Sequence, residues 1–297
     1  MSADIFLQID LPALLLAALA ALACALPGNF LVLRKQAMMG DALSHVVLPG
    51  LVVAFLFVGQ IDPLAMMLGA AGACLLAVAL IRLFQRSSLI DSGAAMGIVF
   101  TAMFALGLLL LESRIGSRVH LDAKHALYGA LELTYWPAPL TLETLPPQIK
   151  TLAALNIALL IMLIAFFKEL RISSFDPEFS AVTGLKTAWI SAGLMLFVAL
   201  TAVACFESVG SILVIALFVC PAATARMLCD DLRQQVLISA LCAVLSAVLG
   251  YGLASILPRL LGFEHSLSAA GMIALSAGGL QLAAMVFAPR YGALRSS

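Results

Sequence analysis

The stretch Leu11-Pro-Ala-Leu-Leu-Leu-Ala-Ala-Leu-Ala-Ala-Leu-Ala-Cys-Ala-Leu-Pro-Gly-Asn-Phe-Leu-Val-Leu33 carries no charged side chain and stops at Arg34-Lys35. A helix crossing the hydrocarbon layer of a bilayer needs about 20 consecutive apolar residues, because only its own hydrogen bonds can satisfy the backbone there. This stretch meets the requirement. Similar runs, bounded by charge, Pro or Gly, recur near residues 42–60, 64–84, 91–112, 151–170, 187–205, 208–228, 234–257 and 268–288. Only Phe206 and Glu207 separate 187–205 from 208–228, so that pair reads either as two tight spans or as one span with a re-entrant segment. The expectation is an all-α polytopic integral membrane protein with 8–9 transmembrane helices, built as one transmembrane domain over residues 1–297.

Composition agrees. Of 297 residues, 63% are hydrophobic and 11% charged, with a mean hydropathy of +1.12; a soluble domain is about 25% charged. A formal net charge of zero gives no basic surface for nucleic acid, and membrane lipid is the expected surroundings. The start, MSADIFLQID, has Asp4 and Asp10 but no Lys or Arg, unlike a cleavable signal peptide, so the first span is expected to be retained. The six cysteines (Cys24, Cys74, Cys205, Cys220, Cys229 and Cys242) form no CxxC pair and read as small buried hydrophobes.

Charge placement suggests an orientation. With nine spans, Arg34, Lys35, Arg82, Arg86, Lys168, Arg171, Lys186, Arg226, Arg233, Arg290 and Arg295 fall on one side. Arg114, Arg118, Lys124, Lys150 and Arg259 fall on the other. Basic residues accumulate in the cytoplasm, so the N-terminus is expected outside and the C-terminus cytoplasmic. The long outer segment, about 113–150, mixes charges, prolines and the interfacial aromatics Tyr128, Tyr135 and Trp136, and a short surface helix is expected in it. His120 and His125 lie there and read as solvated side chains before ligands. No internal repeat is evident, which counts against an inverted-repeat secondary transporter.

Three segments carry chemistry. In Leu33-Arg-Lys-Gln-Ala-Met-Met-Gly-Asp-Ala-Leu-Ser-His-Val-Val-Leu-Pro-Gly50, Asp41 and His45 stand one helical turn apart on one face. Carboxylate oxygen and imidazole nitrogen suit zinc, manganese or ferrous iron. The same residues also fit a helix N-cap at Asp41 and an interior histidine at His45. In Phe175-Asp-Pro-Glu-Phe-Ser-Ala-Val-Thr-Gly184, Asp176 reads as N-cap, Pro177 as the first helical residue and Gly184 as the stop, within a basic connection at about 171–187. Phe179 and Val182 share a face with Phe175 just ahead, a pattern suited to a protein groove. In Val219-Cys-Pro-Ala-Ala-Thr-Ala-Arg226, Pro221 and small residues permit close helix packing, with Arg226 snorkelling to the interface. There is no G-x-x-x-x-G-K-[ST], H-E-x-x-H or G-x-S-x-G, so the chain announces no nucleotide hydrolase, zinc protease or serine hydrolase.

At these residues the sequence resembles the permease subunits of bacterial ABC importers for zinc, manganese and iron. The likeness is carried by MMGDALSHVVLPG, DSGAAMGIVFTAMFALGLLLL, SFDPEFSAVTGL, CPAATARML and the closing APRYG, in order along nearly the whole chain. It implies a permease in the bacterial cytoplasmic membrane, with two ATP-hydrolysing subunits, a second permease copy or close paralogue and an extracytoplasmic metal-binding protein. The chain itself would not be an enzyme and would hold no permanent cofactor, only the transported Zn, Mn or Fe ion. It implies metal handling at Asp41 and His45, and ATPase docking at Phe175, Asp176, Pro177, Glu178, Phe179, Val182 and Gly184. A two-fold pair would bring two of each metal-handling residue to a shared axis. An ion-coupled secondary transporter, with Asp41 and His45 relaying protons, and a membrane receptor or scaffold remain the alternative readings.

Overall fold

A computed structural model of the chain describes residues 6–60, 62–85, 91–114, 131, 134–138, 141, 143–182, 187–261 and 267–288. A π-helical turn, Phe6–Asp10, leads into α1 (Leu11–Leu33), followed by α2 (Met39–Val58), α3 (Pro63–Gln85) and α4 (Ser92–Arg114). Then come α5 (Pro147–Ala165), α6 (Phe167–Phe175), α7 (Pro177–Val182), α8 (Thr187–Val209), α9 (Ser211–Leu228), α10 (Leu232–Leu261) and α11 (Ala269–Phe287). No strand occurs among the described residues. Prolines open several helices, where a missing N–H costs nothing: Pro12 in α1, Pro63 in α3 and Pro147 in α5. Gly59, at φ +72°, ends α2, and Gly210, at φ +86°, separates α8 from α9.

Among the described residues, eight helical stretches are long and apolar enough to cross a membrane, and His45–Val58 of α2 adds a shorter apolar one. The chain is a multi-pass membrane protein. The ambiguous pair resolves into two helices, since Trp189–Phe206 and Ser211–Leu228 each qualify as a span. The run expected over 151–170 does not continue as one helix. It breaks at Phe166 (φ −110°, ψ 19°), and α6 begins at Phe167 as a separate helix. Lys168, Glu169 and Arg171 follow at once, and charged groups at that spacing are too costly to leave in hydrocarbon. Of the expected surface helix, residues 115–130, which include His120, His125 and Tyr128, lie outside the described residues.

α1 is the hub, packed against α10, α9, α5 and α8. Its Leu16, Ala17, Ala20, Ala21, Ala23 and Cys24 are fully buried. Lipid is as apolar as a protein core, so helices associate through close packing and hydrogen bonds rather than through the hydrophobic effect. Small residues supply the packing: Gly28 lies against the backbone of Phe218 in α9, and Gly50 of α2 meets Gly69 of α3 backbone to backbone. A buried polar cluster supplies the bonds. Asn29 Nδ2 donates to Ser239 Oγ (2.6 Å) and Ala25 O (2.8 Å), and Gln235 Nε2 donates to Asn29 Oδ1 (3.2 Å), tying α1 to α10. At the other end of α1, Tyr251 donates to Asp10 Oδ1 (2.8 Å), and the Trp136 backbone N–H donates to Gln8 O (2.9 Å).

Candidate functional site

The α1–α2 reversal places the first candidate segment. Arg34 caps α1, Lys35 takes the left-handed conformation (φ +56°), and the N–H groups of Lys35 and Gln36 donate to Val32 O (3.1 Å) and Leu31 O (2.8 Å). That is a Schellman closure with lysine where glycine is usual. The chain turns back within residues 34–38 and α2 begins at Met39. The N-cap position therefore falls on Met38, which makes no side-chain cap bond, and not on Asp41. Asp41 is the third helical residue; its side chain lies outside the described ones. His45 follows one turn later.

The depth of this segment is set by its neighbours. The His45 ring stacks on Phe100 (centroids 5.6 Å, interplanar 28°) and meets Phe104 edge-on (5.4 Å, 74°). Both phenylalanines belong to the middle of α4, which runs from Ser92 to Arg114. At 1.5 Å per residue they stand about 12 and 18 Å from its start. Gly40 lies against the ring of Phe218, in the middle of α9. The turn from Asp41 to His45 is thus held at half-depth in the bundle, although it follows α1 by only a short reversal. A Cβ at Gly107 would stand 2.9 Å from the Pro49 ring, so α2 and α4 also touch one turn beyond His45. Stacking fixes the plane of the imidazole, in which both nitrogen lone-pair directions lie. No group of three or more His, Cys, Asp or Glu able to hold a metal occurs among the described residues.

The second segment sits at the end of the bundle where α1 finishes. Asp176 caps α7: the Phe179 backbone N–H donates to Asp176 Oδ1 (2.8 Å). Pro177 is the first residue of α7; the side chains of Pro177 and Glu178, and all of Gly184, lie outside what is described. Phe175, Phe179 and Val182 are 50%, 54% and 86% exposed, so this short helix presents apolar side chains outward. Beside it a recess of about 340 Å³ is lined by Arg171, Phe175, Asp176 and Phe179 on one side and Asp230 and Asp231 on the other. A larger recess, about 440 Å³, lies at the opposite end among Tyr135, Pro137, Leu145, Gln148 and Ser208, away from His45.

The third segment packs as its small residues suggest. Pro221, Ala222, Thr224 and Ala225 are buried, and Arg226 Nη1 donates to Asp230 O (3.3 Å).

Two features were not read from the sequence. One is the Phe100/Phe104 pair, whose i, i+4 spacing could have drawn attention. The other is Arg34, largely buried and donating to three serine hydroxyls: Ser173 (2.9 Å), Ser174 (3.0 Å) and Ser191 (2.8 Å). Burial, with repulsion from Arg82 second, lowers its guanidinium to about 10, so it still carries its charge at neutral pH.

Comparison with known proteins places the chain in a family. The chain is 37% identical over 278 residues to the manganese transport system membrane protein MntD of Bacillus subtilis, covering 93% of this chain and 91% of that one. It is 36% identical over 286 residues to the zinc transport system membrane protein TroD of Treponema pallidum, covering 95% and 74%. Its fold superimposes on PsaBC from Streptococcus pneumoniae, solved in complex with Fab, with a TM-score of 0.78 at 27% identity over 99% of this chain and 97% of that one. Residues 7–288 match the ABC 3 transport family, and the chain belongs to that family, the membrane permeases of metal ABC importers.

Proposed function

We propose that this chain is the permease subunit of an ATP-driven importer that carries manganese or zinc inward by alternating access. The observation that carries the reading is near full-length similarity to permeases named for manganese and for zinc transport. Iron is the third cargo, on donor chemistry alone. The half-depth position of His45, one turn from Asp41, supports a transient pathway site. Asp41 and His45 give one chain two donor groups, and a second permease related by a two-fold axis would double them to two oxygen and two nitrogen donors. Such a site binds weakly enough to release its ion.

In this reading the α7 end faces the cytoplasm and the N-terminus lies outside. ATP hydrolysis occurs on two partner subunits, one docking on each permease at Phe175, Asp176, Pro177, Glu178, Phe179, Val182 and Gly184. The outward-facing Phe179 and Val182 support this, as does the recess beside them. An extracytoplasmic binding protein delivers the ion. The test is ATP-dependent uptake of radiolabelled manganese and zinc by liposomes holding the permease with its ATPase and binding protein. Uptake without ATP, driven by a proton gradient, would point instead to an ion-coupled carrier.

A further inference from the structure

α7 has two flanking helices, and Arg34 is bonded to both. α6 enters α7 through Asp176 alone, and α8 follows it in the chain. Arg34 Nε and Nη2 donate to Ser174 and Ser173 at the end of α6, while Nη1 donates to Ser191 in the first turn and a half of α8. The same residue is the C-cap of α1, and only residues 35–38 stand between it and the start of α2. A guanidinium is a planar fork with fixed donor directions, so it reports the relative placement of three acceptors in a way a lysine ammonium cannot. Ser173 and Ser174 are themselves buried, and Ser173 Oγ also donates back to Leu170 O (3.3 Å), which holds that side of the fork in place.

We propose that Arg34 is the positioning residue that links displacement of α7 to the α1–α2 turn, and through it to Asp41 and His45. The proposal rests on the import reading above. A push on α7 moves α6 and the start of α8, the fork transfers that movement to the end of α1, and the Schellman turn carries it into the first turn of α2. The connection is made of hydrogen bonds of 2.8–3.0 Å and one five-residue reversal.

The experiment compares metal carried per ATP hydrolysed in liposomes containing the full complex. With Arg34→Lys, the expected result is intact assembly, ATP hydrolysis close to wild type, and a metal-to-ATP ratio lowered by about tenfold, a usual size for coupling between linked sites. Ser173→Ala combined with Ser174→Ala leaves the charge and removes only the α6 acceptors; it should lower the ratio in the same direction, and it decides the matter if Arg34→Lys fails to assemble. An unchanged ratio overturns the proposal. So does a parallel fall of hydrolysis and uptake with a lowered melting temperature, which is what a purely structural staple gives. If the wild-type complex shows no ATP-driven uptake, the import reading itself falls, and that outcome is visible before any variant is made.

Discussion

The imidazole of His45 and the ring of Phe100 stack with centroids 5.6 Å apart and planes inclined by 28°. An aromatic pair of this kind contributes about 0.5–1.5 kcal/mol beyond its buried area. Here the contact orients a candidate ligand rather than stabilising a core, because Phe104 closes on the same imidazole from another direction. Phe100→Leu keeps apolar volume but removes the stacking. The expected outcome is an increase of about two- to tenfold in the apparent KM for metal uptake, with assembly unchanged. A wild-type KM would show that His45 needs no such support.

At α7, the proposed docking helix, cap and contact can be separated. Asp176→Ala removes the acceptor for the Phe179 N–H and should loosen α7 by about 1 kcal/mol, whereas Asp176→Asn should retain the cap. Phe179→Ala leaves the cap alone and removes an exposed aromatic. If Phe179 anchors the ATPase, affinity should fall by about 2 kcal/mol, roughly thirtyfold, with the permease still folded. Titration of the purified ATPase against permease in nanodiscs measures both effects. Equal binding by wild type and Phe179→Ala would remove the docking assignment.

The purified permease alone should neither hydrolyse ATP nor move metal, since its sequence has no phosphate-binding loop. Phosphate release by the single chain, retained after removal of contaminating ATPases by a second affinity step, would contradict the division of labour proposed above.

At the α2–α3 crossing, Gly50 meets the backbone of Gly69, and a Cβ on Gly69 would stand 2.6 Å from the Ala54 Cβ. Neither neighbour is the flexible end of a side chain, so the helices themselves must part. Gly50→Val should cost about 1–3 kcal/mol by overpacking. Thermal unfolding in detergent would show it as a lowered melting temperature. At Gly72, inside α3 with nothing within 4 Å of an added Cβ, Gly72→Ala should not lower the melting temperature and should raise stability by up to about 1 kcal/mol.

Spans were legible wherever an uncharged run met a breaker: α1 ends at Arg34 and α2 ends at Gly59 because charge and a left-handed glycine are strong local signals. The break at Phe166 was not, since Phe166 and Phe167 extend the apolar run and only the following charges mark its end. The cap at Asp176 was readable from Asp-Pro alone. The Arg34 fork could not be read, because its acceptors lie 139 to 157 residues away and serine is unremarkable in any of those places. Phe100 and Phe104 stand in a helix that is apolar all round, where sequence does not say which face meets a neighbour. Depth was also hidden: a short connection after α1 reads as a loop at the membrane surface, whereas the start of α2 reaches the middle of α4 and α9.

Asp41 and His45 give the sharpest test. Capping no longer competes as an explanation for Asp41, since the N-cap is Met38 and Asp41 stands inside the first turn. What survives of the bland reading is a charge near the positive end of the helix dipole, worth about 0.3–1 kcal/mol to stability. Asp41→Asn therefore separates two magnitudes. If the carboxylate serves only the dipole, the melting temperature should drop slightly and ATP-driven uptake should stay near wild type. If it binds the ion, uptake of manganese and zinc should fall severely while the complex elutes and melts almost normally, because a cation held by few ligands depends on their charge. His45→Gln should then behave alike, with neutral glutamine unable to replace an imidazole donor at the same distance. Uptake by reconstituted complexes, with size profiles as the folding control, reads both variants. Wild-type uptake from the pair would remove them from the pathway and leave only the similarity to known permeases in support of metal import.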